Sequence, residues 1–143
     1  MNNELHKDEK WILWNPLNIP NCQAFSVEIT QEDSGTNFLV ECENQFISLL
    51  FEGFIPIYVY SDEGIRMATY MPVQDKNNDK YYFTKWFLYK IEDSDFMKWA
   101  IQESCGFYEK NELQHFCIVT STEVVDILSF VEPTIKVIPQ TNA

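Results

Sequence analysis

The chain has 143 residues, about the length of one domain, which leaves no room for separate cofactor and substrate domains. Hydrophobic residues make up 45% of it and charged ones 22%, enough apolar material for a core, so a mainly disordered chain is excluded. Ten Lys and Arg against 22 Asp and Glu give a net charge of -12, which repels phosphate backbones and anionic headgroups, so neither direct nucleic-acid nor membrane binding is expected.

Met1 to Lys10 is polar and is expected to be a mobile segment, with a single domain over 11–143. Trp11-Ile12-Leu13-Trp14, stopped by Asn15-Pro16, reads as a short strand or an arm packed on the body. From Cys22 the period is two: Phe25, Val27 and Ile29 alternate with Ser26, Glu28 and Thr30, and after a turn over Glu32–Thr36 the pattern resumes with Phe38, Val40 and Cys42. A hairpin centred on Ser34-Gly35 would set Glu28 about opposite Glu41, a like-charge pair needing a base from elsewhere in the fold or from a partner. Phe46–Phe51 and Ile55–Tyr60 are apolar on both faces, as central strands are, with Pro56 at a strand start or edge.

Ser61–Gly64 is a turn, Ile65–Met71 fits strand or helix, Pro72 should end that element, and Asp75–Lys80 reads as a polar loop. The second half of Tyr81–Ile91 reads as a strand. Ser94 has the character of an N-cap for a helix over about 95–105, with Met97, Ala100, Ile101 and Cys105 as its apolar stripe and Gly106 as its left-handed cap. Leu113–Val119 reads as a strand. Thr120-Ser121-Thr122-Glu123 has capping-box spacing and predicts a helix with Val124, Val125 and Leu128 inward. Ile135, Val137 and Ile138 form a final strand between Pro133 and Pro139. The whole is an α+β pattern: one domain, a mixed or antiparallel sheet, and two to three helices packed on it.

The acidity is uneven. Between Lys10 and Arg66 there is no base, yet Glu28, Glu32, Asp33, Glu41, Glu43, Glu52, Asp62 and Glu63 lie there; from residue 64 onward 11 acids face 8 bases. Those eight acids, with Tyr58 and Tyr60, are the candidate partner-binding residues, because acidic faces speed encounter with basic partners and tyrosines bury much area at interfaces. Acidity for solubility alone is the plainer alternative. Arg66, the single arginine, would pair with Asp62 or Glu63 across the turn, or neutralise the Glu28/Glu41 face.

Motifs for catalysis are sparse. His115-Phe116-Cys117 sets an imidazole and a thiol on one face of a strand, which a metal or a Cys/His dyad could use, although a core cysteine beside a histidine hydrogen-bonded at the strand edge is the simpler explanation. The acid pairs Glu32/Asp33, Asp62/Glu63 and Glu92/Asp93/Asp95 follow no calcium-loop pattern, and four scattered glycines make no phosphate cradle. No catalytic, cofactor or metal residue is assigned. The four cysteines, Cys22, Cys42, Cys105 and Cys117, follow a start without the apolar core of a secretory leader, so a cytoplasmic protein with reduced, mostly buried thiols is expected.

Five segments, Trp11-Ile12-Leu13-Trp14-Asn15-Pro16, Ser61-Asp62-Glu63-Gly64-Ile65-Arg66, Phe96-Met97-Lys98-Trp99, His115-Phe116-Cys117-Ile118-Val119-Thr120 and Val124-Val125-Asp126-Ile127-Leu128, carry a resemblance. With them the chain after residue 10 resembles small acidic immunity proteins of bacterial polymorphic toxin systems. The resemblance implies a cytoplasmic, non-enzymatic protein that binds and neutralises a cognate protein toxin, often a basic nuclease, and carries over no catalytic residue. Two other readings stand beside it: a small metal- or thiol-dependent enzyme using His115 and Cys117, and a regulatory adaptor domain for a basic protein.

Overall fold

A computed structural model of the chain describes residues 6–140. Nine strands form two antiparallel sheets. The strands are β1 (Lys10–Leu13), β2 (Ser26–Glu32), β3 (Gly35–Glu41), β4 (Gln45–Glu52), β5 (Ile57–Asp62), β6 (Leu88–Glu92), β7 (Gln114–Val119), β8 (Glu123–Ser129) and β9 (Thr134–Pro139). One sheet has the order β1-β6-β7-β8-β5 and the other β2-β3-β4-β9. Two α-helices, α1 (Met67–Lys76) and α2 (Asp95–Glu103), complete the α+β domain; a 3-10 turn over Glu63–Arg66 runs into α1.

Period-two alternation determines which face each sheet buries. Phe38, Val40, Ile47, Leu49 and Phe51 of the four-stranded sheet meet Leu88, Phe116, Ile118, Val125 and Ile127 of the other, and all are essentially inaccessible. Trp14, Phe51 and Phe116 pack ring against ring in this layer at 5.3 Å. The alternate residues of the five-stranded sheet, Tyr89, Ile91, Cys117, Val119 and Val124, take Tyr70 and Val73 of α1, while Leu128 takes Met97 of α2. The layers are therefore helices, five-stranded sheet, four-stranded sheet. Among the described residues no element covers the outer face of the last.

The hairpin, the β4 strand, β6, the Ser94-capped helix, β7 and the final strand form where the alternation and capping signals place them. Ser94 Oγ accepts the Met97 N–H at 3.0 Å, and the helix ends at Glu103, with Cys105 and Gly106 both at positive φ. Trp11–Trp14 is an edge strand whose Trp11 packs on Phe83 and Tyr89. Of the segment 1–10, residues 1–5 lie outside the described residues, whereas His6 and Glu9 bond to the start of α2.

Several expectations are corrected. The segment expected to be helical after Thr120 is β8: the Thr120 hydroxyl accepts the Glu123 N–H at 2.9 Å as foreseen, but it closes a β7–β8 turn. Val124 and Leu128 then face the helices while Val125 and Ile127 face the other sheet, and a run buried on both sides is a central strand. Pro72 lies inside α1 instead of ending it; Ala68, whose carbonyl it leaves without a donor, is exposed to water. The turn from β2 to β3 is Asp33-Ser34, so Glu28 pairs with Leu39 and Glu41 with Ser26, which makes the two acids diagonal neighbours. Ile57–Asp62 is an edge strand, not a central one. Arg66 reaches neither Asp62, Glu63 nor the acidic face but turns inward to Asp126.

Candidate functional site

The acidic candidates fall into two groups. Glu28, Glu32, Asp33, Glu41, Glu43 and Glu52 belong to the four-stranded sheet and its turns, and all but the half-buried Glu41 are exposed. Strand register arranges the outer face of this sheet in rows: Ser26, Glu41, Phe46 and Ile138; Glu28, Leu39, Ser48 and Lys136; Thr30, Asn37, Leu50 and Thr134; Glu32, Gly35 and Glu52. Leu39, Phe46, Leu50 and Ile138 stand as apolar groups around the hydrogen-bonded Ser48 and Asn37, and the carboxylates lie toward the ends and the β2 edge of the face. Lys136 is the single base of this sheet, and among the described residues no ion pair within 4 Å involves any of the six acids.

Tyr58, Tyr60, Asp62 and Glu63 lie instead on β5 and the turn after it, at the edge of the other sheet. Tyr58 is half-buried against Phe38, at 5.5 Å between ring centres, and only Tyr60 is open to solvent, at 52%. Asp62 accepts the Gly64 N–H at 2.8 Å and so caps the 3-10 turn. The fold brings Tyr58 and Glu32 to one shallow groove, and Tyr60, Asp62 and Glu63 do not line it.

A second constellation lies under the helices. Strand alternation points His115, Cys117 and Asp126 to the helical side of the five-stranded sheet. His115 Nε2 stands 2.7 Å from Asp126 Oδ1 and its Nδ1 2.7 Å from Ser94 Oγ. Asp126 Oδ2 accepts from Arg66 Nη1 at 2.5 Å, and Arg66 also donates to Ser61 Oγ and to Thr69 Oγ1, each at 3.2 Å. Thr69 Oγ1 is 3.3 Å from His6 Nε2, His6 Nδ1 is 2.8 Å from Glu9 Oε2, and that oxygen accepts the Asp95 N–H at 3.0 Å. Ser94 and Asp95 are neighbours, so the chain of contacts closes into a ring joining the N-terminal segment, both helices, β7 and β8.

Burial opposes ionisation of Asp126, but His115 and Arg66 outweigh it and hold the carboxyl below the usual range. Glu9 is likewise lowered against its burial by His6 and the Asp95 N–H. The Glu9 carboxylate in turn raises His6. Burial, reinforced by the Asp126 charge, pushes the Cys117 thiol well up, so it stays protonated and is a poor nucleophile. Ser94, His115 and Asp126 have the members of a hydrolytic triad, yet Ser94 has no accessible surface and its oxygen already accepts from the cap. The ring ties the N-terminal segment, both helices, β7 and β8 together through side-chain contacts. No local spacing signals its partners, because His6, Arg66, Ser94 and Asp126 come from different elements that only tertiary packing brings together.

The thiols also differ from expectation: Cys42 and Cys117 are buried, Cys22 is half-buried and Cys105 is exposed. His6, Glu9 and Asp95 could offer three ligand atoms within 4.8 Å of one another, but their atoms already pair within the ring. No helix among the described residues is long and apolar enough to cross a membrane. The chain matches no protein-family model, no curated protein and no solved structure.

Proposed function

We propose that this protein is a non-enzymatic inhibitor that binds and neutralises a basic protein toxin through the outer face of its four-stranded sheet. The observation that carries this reading is the open face itself: apolar Leu39, Phe46, Leu50 and Ile138 around the polar pair Ser48 and Asn37, flanked by Glu28, Glu32, Glu41 and Glu52, which no ion pair among the described residues neutralises. Exposed apolar groups beside charged ones are common in protein interfaces, and an unneutralised acidic rim favours a basic partner by steering its approach. The resemblance of the sequence to immunity proteins supports a toxin as that partner.

The test has two stages. Tagged protein purified from its native cells at moderate salt should retain a basic protein at about one-to-one, and co-expression should relieve the growth defect that this partner causes alone. Reversing Glu28, Glu41 and Glu52 to Lys should then slow association. Recovery of the protein without a partner, or an association rate indifferent to the reversals, would overturn the assignment.

A further inference from the structure

Cys22 and Cys42 are 20 positions apart in sequence, yet their sulfurs lie 3.1 Å from each other. The fold imposes this proximity from both sides. Cys42 begins the tight turn from β3 to β4, where its N–H donates to the Gln45 carbonyl at 2.9 Å and its carbonyl accepts from Gln140 Nε2 at 3.4 Å. Cys22 lies in the connection from β1 to β2. That connection is anchored upstream by the Asn15 side chain, which bonds both the N–H and the carbonyl of Ile19 at 2.9 and 2.7 Å, and downstream by the Phe25 N–H on the Glu41 carbonyl at 2.8 Å. Sulfurs in a disulfide are about 2.05 Å apart, so closure requires an approach of about 1 Å.

Access is unequal. A surface groove bounded by Pro20, Asn21, Gln23, Glu43 and Asn44 opens on the pair, with Cys22 half-buried and Cys42 buried. Sharing of the Cys42 proton lowers the pKa of Cys22 against its burial, and the same contact, with burial, raises Cys42. An accessible, more acidic thiol beside an enclosed one is the division of labour of a dithiol that exchanges with disulfides.

We propose that Cys22 and Cys42 are a reversible dithiol–disulfide site, oxidised by small-molecule disulfides, that locks the β1–β2 connection to the β3–β4 turn beside Glu41 and Glu43. The Cys22 thiolate attacks one sulfur of the small disulfide, forms a mixed disulfide and expels the first reagent thiolate. Cys42 gives up its proton and attacks the Cys22 sulfur, breaking the mixed bond and expelling the second reagent thiolate. Both reagent thiolates take up protons, so the two cysteine thiols are oxidised and one small disulfide is reduced to two thiols. This inference is independent of the toxin-binding reading.

The test uses the full, native chain in buffers of graded reduced and oxidised glutathione, quenched with acid, alkylated, and read by intact mass and peptide mapping. The expected product has lost two hydrogens, joins the Cys22 and Cys42 peptides and reverts with dithiothreitol. Cys42→Ser should retain a stable glutathione adduct on Cys22, whereas Cys22→Ser should leave Cys42 unmodified. Oxidation of the unmutated chain should raise the melting midpoint, because the bond restricts the unfolded chain. A chain that takes glutathione on the exposed Cys105 but forms no Cys22–Cys42 bond overturns the proposal, as does a bond that forms only in denaturant or lowers the melting midpoint. The unmutated chain decides this whether or not the variants fold.

Discussion

Asp126 is 3% exposed and holds two cationic or polar partners from different elements, Arg66 from the turn before α1 and His115 from β7. Asp126→Ala would leave the half-buried Arg66 without its counter-charge, a loss of about 3 kcal/mol, the low end for a buried pair, readable in urea unfolding. Because the folded carboxyl titrates below its unfolded value, the ionised pair contributes stability above about pH 4, and that contribution is lost as the pH falls through the lower, folded value. His6 works in the opposite direction. Its folded pKa is raised, so its contribution is complete below about 6.5 and is lost as the pH rises past the folded value. Melting midpoints of His6→Gln should therefore lack the decline expected of the parent as the pH rises above about 6.5. Tyr70 supplies a contrast: among the described residues its buried hydroxyl has no partner. Tyr70→Phe should be neutral or stabilising by up to about 1 kcal/mol in the same assay, since an unpaired buried hydroxyl costs desolvation without return.

Elements in this fold are governed by what covers them. The β2–β3 hairpin depends on Gly35, whose φ is +152° and whose absent Cβ would lie 2.1 Å from the Phe51 carbonyl oxygen on β4. Gly35→Ala should thus cost about 2 kcal/mol or more through backbone strain and displacement of the neighbouring strand, again measured by urea unfolding. The contrast between α2 and β8 is instructive, because both follow good capping signals. At α2 the cap is followed by Met97, Ala100 and Ile101 at helical spacing with Lys98 and Glu103 exposed. At β8 it is followed by Val124, Val125, Ile127 and Leu128 with only Asp126 polar, and Asp126 is consumed by Arg66 and His115. A cap satisfies backbone donors at either a helix start or a hairpin turn; the burial pattern after it decides which forms.

Across the whole molecule, charge and cover are segregated. The ion pairs among the described residues lie within the N-terminal segment, the helices, the five-stranded sheet and adjoining loops, including Lys90 with Glu132 and Lys110 with Asp93. Cover follows the same division, since both helices pack on the five-stranded sheet and leave the other sheet's acidic face open. Changing Glu28, Glu41 and Glu52 together to Lys should lower the rate of association with a basic partner by about tenfold or more at low salt, with a smaller loss at high salt, as stopped-flow mixing would show. The same variant should unfold within about 1 kcal/mol of the parent in urea, because Glu28 and Glu52 are exposed and Glu41 loses only its 3.2 Å bond from the Ser26 hydroxyl.

Sequence alone determined the α+β class, the antiparallel hairpin, the capped helix α2 and the concentration of acid before Arg66, because alternation, capping and local charge are properties of neighbours along the chain. It also placed His115 and Cys117 on one face, since period two is a local rule. Tertiary structure alone decided that Thr120–Leu128 is a turn and a central strand, that Pro72 is tolerated within a helix, and that Arg66 serves Asp126 instead of its nearest acids. Each outcome depends on what packs against the segment from far away in sequence. The ring from His6 to Asp126, the Cys22–Cys42 contact and the groove shared by Tyr58 and Glu32 belong to this second kind. They arise when the packing of strands, turns and loops brings distant residues within a few ångströms, and no spacing along a single strand encodes that contact.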